Sequence, residues 1–147
     1  MQFRVIVAGK PALAYARLAV EEYLKRLGRH GKYELVTLKA GNSEEVSERL
    51  LERSVGSYRV VLDERGKAMD TRKLHRHLDN RRLRGDVKSV AFLIGAADGH
   101  TEALRKSADL VLGLSPMTLQ HELALVVLLE QLYRVASIEA GSPYHRD

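Results

Sequence analysis

Apolar residues along the chain alternate between two spacings. Short β-rich runs at Phe3–Ala8 (FRVIVA), Tyr33–Leu38, Tyr58–Leu62 (YRVVL), Ser89–Ile94 (SVAFLI) and around Leu110–Leu112 predict five strands. Between them the spacing becomes helical. Leu13, Ala16, Val20, Tyr23, Leu24 and Leu27 share one face, Glu21, Glu22, Lys25 and Arg26 the other, and Gly28 ends the pattern. Asn42 with Glu45 resembles a capping box before a charged helix that runs to Arg53. Asp70 or Thr71 can open a helix to about Arg82, whose apolar stripe is Leu74 and Leu78. A brief helix is expected over Thr101–Ala108 and a long one over about Gln120–Ala140, while Gly66 falls in a turn after the third strand.

Strands alternating with helices through short connections predict an α/β fold. Its core is a mostly parallel sheet of five to six strands with helices on both faces, in one domain spanning residues 1–147. The unbroken SVAFLI run suits a strand covered on both sides. Ligands of such sheets bind beyond the carboxyl ends of the strands. That singles out the connections after Leu62, Ile94 and Leu112.

Composition narrows the chemistry. The 147 residues are 45% hydrophobic and 29% charged, an ordinary globular mixture, and they include no cysteine. Disulfides, thiolate metal sites and a cysteine nucleophile are thereby excluded. The opening MQFRVIVAGK is too short an apolar run for a signal peptide, and no stretch is long enough to predict a membrane span, so a cytoplasmic, soluble protein is expected. Lys plus Arg number 24 against 19 Asp plus Glu, giving +5, which suits a polyanionic partner without requiring one.

The candidate residues lie in three places. Gly95-Ala96-Ala97-Asp98-Gly99 follows the fourth strand, and its glycines permit close approach to a ligand or simply a turn. It is neither a dinucleotide fingerprint nor a Walker loop. Leu114-Ser115-Pro116-Met117-Thr118-Leu119 is stiffened by proline and could present backbone groups to a purine edge, or merely join strand to helix. The helix behind it is apolar on nearly every side through Leu123, Leu125–Leu129, Leu132, Val135 and Ile138. Such a helix is either wholly internal or shared with a second copy of the chain. His75 and His77 are two apart and point to different sides of their helix, so no metal site is expected. They lie in RKLHRHLDNRRLRG, readable as a solvated face or as a phosphate-contacting surface. The terminal SPYHRD could fray, or its Tyr, His and Arg could stack on a base, exchange a proton and hold phosphate.

GAADG after an apolar strand, LSPMTLQHE opening a long helix, LLEQLYR within it and the terminal PYHRD resemble the ribosomal RNA large subunit methyltransferase H family of the SPOUT superfamily. The GKPALAYARLAVEEYLKRL segment and the LDERGK turn fall in register too. The resemblance implies a C-terminal trefoil knot, an exception to unknotted topology. It also implies a homodimer through the C-terminal helix and methyl transfer from S-adenosyl-L-methionine to ring nitrogen 3 of a pseudouridine in 23S rRNA, free or in the assembled ribosome. The cofactor residues it implies are Leu62, Gly95, Leu114, Ser115, Pro116, Met117, Thr118 and Leu119. His145 and His121 are the candidates for assisting proton loss, with Tyr144 positioning the base and Arg146 and Arg134 contacting RNA. No metal is needed, because a sulfonium methyl is already activated.

Two positions depart from the family pattern: Ala96 where a second glycine is usual, and Leu125 where an arginine is usual. They motivate an alternative, a homologue that binds RNA or ribosomes without transferring methyl groups. An unrelated small nucleotide-binding domain would instead be monomeric and would leave PYHRD unexplained.

Overall fold

A computed structural model describes residues 1–147. Five strands and five helices alternate: β1 Gln2–Ala8, α1 Ala14–Leu27, β2 Tyr33–Leu38, α2 Ser43–Arg53, β3 Tyr58–Ala68, α3 Thr71–Arg84, β4 Ser89–Ile94, α4 Glu102–Ser107, β5 Leu110–Gly113 and α5 His121–Glu139. The strands form one sheet in the order β2-β1-β4-β3-β5, and every pair is parallel. A sixth strand is absent, so the lower end of the expected range holds.

Side chains alternate across the sheet as the strand period requires. Val5, Val7, Val90, Phe92 and Ile94 face a core shared with α1, α3 and α5. Ile6, Ala8, Ala91 and Leu93 face a smaller core with Val46 and Leu50 of α2 and Leu104 of α4. Start signals agree with the sequence. Asn42 and Glu45 form a reciprocal capping box, Asp70 rather than Thr71 caps α3, and Gln120 accepts from the N–H groups of Glu122 and Leu123 to open α5.

β3 differs from expectation. It does not end at Leu62 but resumes pairing with β5 at Lys67 and Ala68 after a register shift. Asp63–Gly66 bulges between the two paired stretches. Gly66 lies so close to β5 that an added Cβ would sit 2.8 Å from backbone atoms of Val111 and Leu112. The polar sequence DERGK hides this strand, because backbone pairing rather than apolar burial holds it.

α5 fills the space between α1 and α3. Leu125, Leu128, Leu129 and Leu132 are at most 1% exposed, whereas Leu123, Val126 and Val127 stay half-buried. Leu13, Tyr15 and Leu18 of the α1 region, beside the start of α5, are exposed, Leu18 at 70%. A single chain therefore leaves an apolar patch on the N-terminal halves of both helices. No helix is long and apolar enough to cross a membrane.

Glu122 pins these two helix starts together. One of its carboxylate oxygens accepts from the N–H groups of Ala12 and Leu13 at 2.5 and 3.0 Å. The Leu13 bond leads in lowering its pKa; burial opposes and the Ala12 bond adds to the lowering. A depressed carboxylate stabilises the fold fully above its unfolded pKa and loses that contribution as pH falls through the folded value. Glu122→Gln is expected to lower the thermal midpoint at pH 7, with the deficit shrinking below about pH 4. Melting curves of both proteins across pH 3–7 check this.

Candidate active site and its surroundings

Three connections meet at the carboxyl edge of the sheet. The β3 bulge, the β4–α4 loop and the β5–α5 loop enclose a cleft of about 670 Å³. Leu62, Gly95, Leu114, Ser115, Met117, Thr118 and Leu119 line it, as does His121. Pro116 does not; it stays exposed and shapes the loop from outside. The walls are tied to each other, since the Thr118 hydroxyl bonds to the Glu64 carboxylate. Asp63 at the base accepts from the Arg65 N–H at 2.9 Å. Burial pushes its carboxyl up, but the bonds from Arg65 and the charge nearby outweigh this and leave it below its usual value.

His100 is the residue that sequence reasoning missed. Its Nε2 lies 2.8 Å from the Leu62 carbonyl, so the tautomer with a proton there donates and links the β4–α4 loop to β3. Nδ1 is then a buried acceptor with no partner. Burial keeps the ring neutral by lowering its pKa, with the Leu62 carbonyl pulling the other way. The ring also explains Gly95, whose φ is not in the left-handed region. A Cβ at Gly95 would meet the His100 ring at 2.5 Å. The glycine is required by its neighbour, not by its own dihedrals.

The two departures from the family pattern have plain structural readings. Ala96 has no positive φ, so its methyl adds no backbone strain. Leu125 is 1% exposed inside the main core and cannot face a substrate.

The tail forms a second cluster, apart from the cleft. It folds back over the outer face of α5 rather than fraying. Tyr144 donates to Glu130 at 3.0 Å, packs edge-on against Tyr133 and lies under the Arg134 guanidinium, 5.0 Å from the ring centre. Burial raises the Tyr144 pKa, and the bond to Glu130 adds to it, so this hydroxyl stays protonated as a donor. Arg134 pairs with Glu130 at 2.7 Å and donates to His145 Nδ1 at 3.3 Å, so it is engaged in holding the tail. Asp147 accepts from Arg72 of α3 and from His145, while Arg146 stays exposed. None of these tail residues lines the cleft. From His121 at its rim to Glu130 and Arg134 is roughly 13 and 20 Å along the helix, at 1.5 Å per residue.

A second cleft of about 660 Å³ lies at the opposite, amino edge of the sheet, lined by Phe3, Tyr33, His75 and Glu139 among others. There His75, Asp79 and Glu139 bring three ligand atoms within 4.8 Å, a grouping that the spacing of histidines did not reveal. Arg82 bonds to both carboxylates and His75 bonds to Glu139, so each group of the cluster already has a partner within the protein. It also lies at the wrong end of parallel strands for a ligand.

Comparison with known proteins adds a lineage. Residues 1–145 match the family model described as "Predicted SPOUT methyltransferase". A protein named ribosomal RNA large subunit methyltransferase H from Thermus thermophilus is 52% identical over 146 residues, covering 99% of each chain. Proteins of the same name from Deinococcus radiodurans and Neisseria gonorrhoeae are 44% and 39% identical, covering at least 99% of each chain.

The contact between Gly95 and His100 is directly testable. Gly95→Ala is expected to cost about 1–3 kcal/mol by overpacking against the ring. In Gly95→Ala/His100→Ala the methyl has room, so the double variant should be less destabilised than the two single effects summed. Denaturant titrations of the four proteins measure this coupling, and strict additivity would remove His100 as the reason for the glycine.

Proposed function

This chain belongs to the SPOUT methyltransferase family, and on that premise we propose that it methylates 23S ribosomal RNA from S-adenosyl-L-methionine held in the carboxyl-edge cleft. The observation that supports this reading most is the convergence of Leu62, Gly95 and most of Leu114–Leu119 on one cleft of suitable size for such a ligand. We place the acceptor at ring nitrogen 3 of a pseudouridine, the family's acceptor, and the protein in the cytoplasm, where ribosomes are. The trefoil knot is likewise the family's architecture, consistent with a β5–α5 connection that forms one wall of the cleft.

The residues fit the proposed donor. Gly95, kept bare by His100, leaves backbone uncovered at the cleft wall, and the stiff Leu114–Leu119 loop presents backbone groups opposite. When bound, S-adenosylmethionine supplies an activated methyl group. The protein then needs to align the acceptor and help the ring nitrogen lose its proton. His121 stands at the cleft rim for that task. His145 is the second candidate, with Tyr144 positioning the base and Arg146 holding phosphate.

Those tail groups reach a cleft only if two chains cooperate. The apolar patch made by exposed Leu13, Tyr15 and Leu18 with half-buried Leu123 and Val127 gives a second copy something to cover. A two-fold axis perpendicular to α5 and centred near Val126 aligns the helices antiparallel. The partner's Glu130 then falls at the level of Glu122, and the partner's Arg134 at the level of Thr118. The partner's tail would thus stand over the cleft mouth. Of the two-fold arrangements through α5, this one joins tail to cleft; an axis along the helix would stack tail on tail.

The inactive-homologue alternative loses its motivation, since Ala96 is unstrained and Leu125 belongs to the core. Incubating the protein with ribosomes lacking the modification and labelled S-adenosylmethionine is expected to add one methyl group to a 23S pseudouridine, located by mass spectrometry. Binding of the donor with no transfer to any ribosomal particle would refute the reading. His145→Ala is expected to slow single-turnover transfer by about 10²–10⁴-fold with donor affinity unchanged; an unchanged rate would leave His121 as the proton acceptor.

A further inference from the structure

Helix α3 concentrates the charge of the whole protein. Its fourteen residues carry six Lys or Arg and one Asp, a net of +5, which equals the net charge of the entire chain. The other residues therefore hold eighteen cations and eighteen carboxylates and sum to zero. The imbalance is one-sided. α2, on the opposite face of the sheet, has four glutamates against two arginines. The molecule is thus polarised, positive on the α3 side and close to neutral on the opposite side, where α2 and α4 together carry five glutamates against four Lys or Arg.

The structure sorts the cations of α3 by their engagement. Arg72 is bound to Asp147, Arg82 to Asp79 and Glu139, and Arg81 lies over the Tyr58 ring at 4.9 Å. Lys73, Arg76 and Arg84 have no ion-pair partner, and all three are exposed. Their spacing of three and eight residues puts all three on one outward stripe, with Asn80 between them, spanning roughly 16 Å. Nearby, burial lowers the His77 pKa and the charges of Arg81 and Lys67 lower it further, as a concentrated positive field requires. Arg72 ties the start of this helix to the terminal residue, so the stripe begins where the exposed Arg146 ends.

We infer that Lys73, Arg76 and Arg84 form a docking rail that grips the phosphate backbone of ribosomal RNA flanking the modified nucleotide. It rests on the rRNA reading above and deepens it by naming the surface that binds. Three uncommitted cations on a rigid helix suit phosphates, which position a nucleic acid without reading its sequence. The near-neutral α2 side would turn away from the particle, so the charge separation also orients the approach.

The test compares two triple variants of equal charge. Lys73→Gln/Arg76→Gln/Arg84→Gln empties the rail, and Lys25→Gln/Lys39→Gln/Arg53→Gln removes three exposed cations elsewhere. Affinity for large ribosomal subunits and for an isolated 23S rRNA hairpin is measured against potassium chloride concentration, with S-adenosylmethionine affinity alongside. The rail variant is expected to bind both RNAs at least about tenfold more weakly at low salt, with the log–log salt slope reduced by about two to three. Its KM for ribosomes should rise with kcat unchanged, and the control should stay within about twofold of the parent. Equal losses in the two variants would reduce the rail to net charge and overturn it. A loss seen with subunits but not with the hairpin would put an acidic protein surface against α3 and overturn it too. A parent that binds RNA yet never transfers methyl groups refutes the methyltransferase reading, while the rail is still decided by binding.

Discussion

The length and rigidity of α5 constrain everything else in this protein. Nineteen residues of helix, locked by four leucines that are at most 1% exposed, set a fixed distance between the cleft and the tail. Neither end can flex toward the other without emptying the main core, and truncating one such leucine costs about 2–5 kcal/mol. The tail is equally committed, since Tyr133, Glu130, Arg134 and Arg72 hold it in place. A lone chain thus keeps the cleft apart from the tail groups proposed for proton transfer and phosphate contact. The proposed dimer follows from that separation together with the apolar patch beside the cleft. So greasy a helix follows so polar a loop for a mechanical reason. The helix fixes the loop from behind, and in the proposed dimer its remaining apolar surface would meet a second copy.

The cleft itself is built from backbone. Parallel strands deliver three connections to one edge, and small residues let them approach. Gly66 permits β3 to lie against β5 after its bulge, and Gly95 permits the His100 ring to slide beneath the β4–α4 loop. Neither glycine has a positive φ, and both are fixed by contact instead. His100 contributes a buried acceptor and no charge of its own, while Asp63, Glu64, Arg65 and Asp98 place charged groups elsewhere along the cleft.

Much of this was legible in the sequence. Apolar periods located all five strands and all five helices, because each buries a face whose spacing its sequence must match. The lining of the cleft was also legible, since strand-end loops converge in any parallel sheet. What escaped was whatever depends on distant pairing. The second half of β3 reads as a polar turn, yet pairs through backbone alone. His100 carries no local signal in the sequence, because the groups it meets, the Leu62 carbonyl and Gly95, come from other positions in the fold. Pro116 belongs to the right loop but is not among the residues that line the cleft. Leu125, where the family usually has an arginine, belongs to the main core, which the departure from the pattern alone does not reveal. The tail's ordered path could not be read from six residues, since it depends on Glu130, Arg134 and Arg72.

The central claim is that a complete site draws its cleft from one chain and its tail from another. Mixing a cleft-blocked variant, Thr118→Trp, with a tail variant, Tyr144→Ala/His145→Ala, tests it most directly. Neither alone should transfer methyl groups to ribosomes. After random subunit exchange, the mixture should regain about a quarter of parental activity, since about half the dimers are mixed and each of those has one intact site. A mixture of exchanged dimers that stays inactive would show that cleft and tail act within one chain, and would contradict the account.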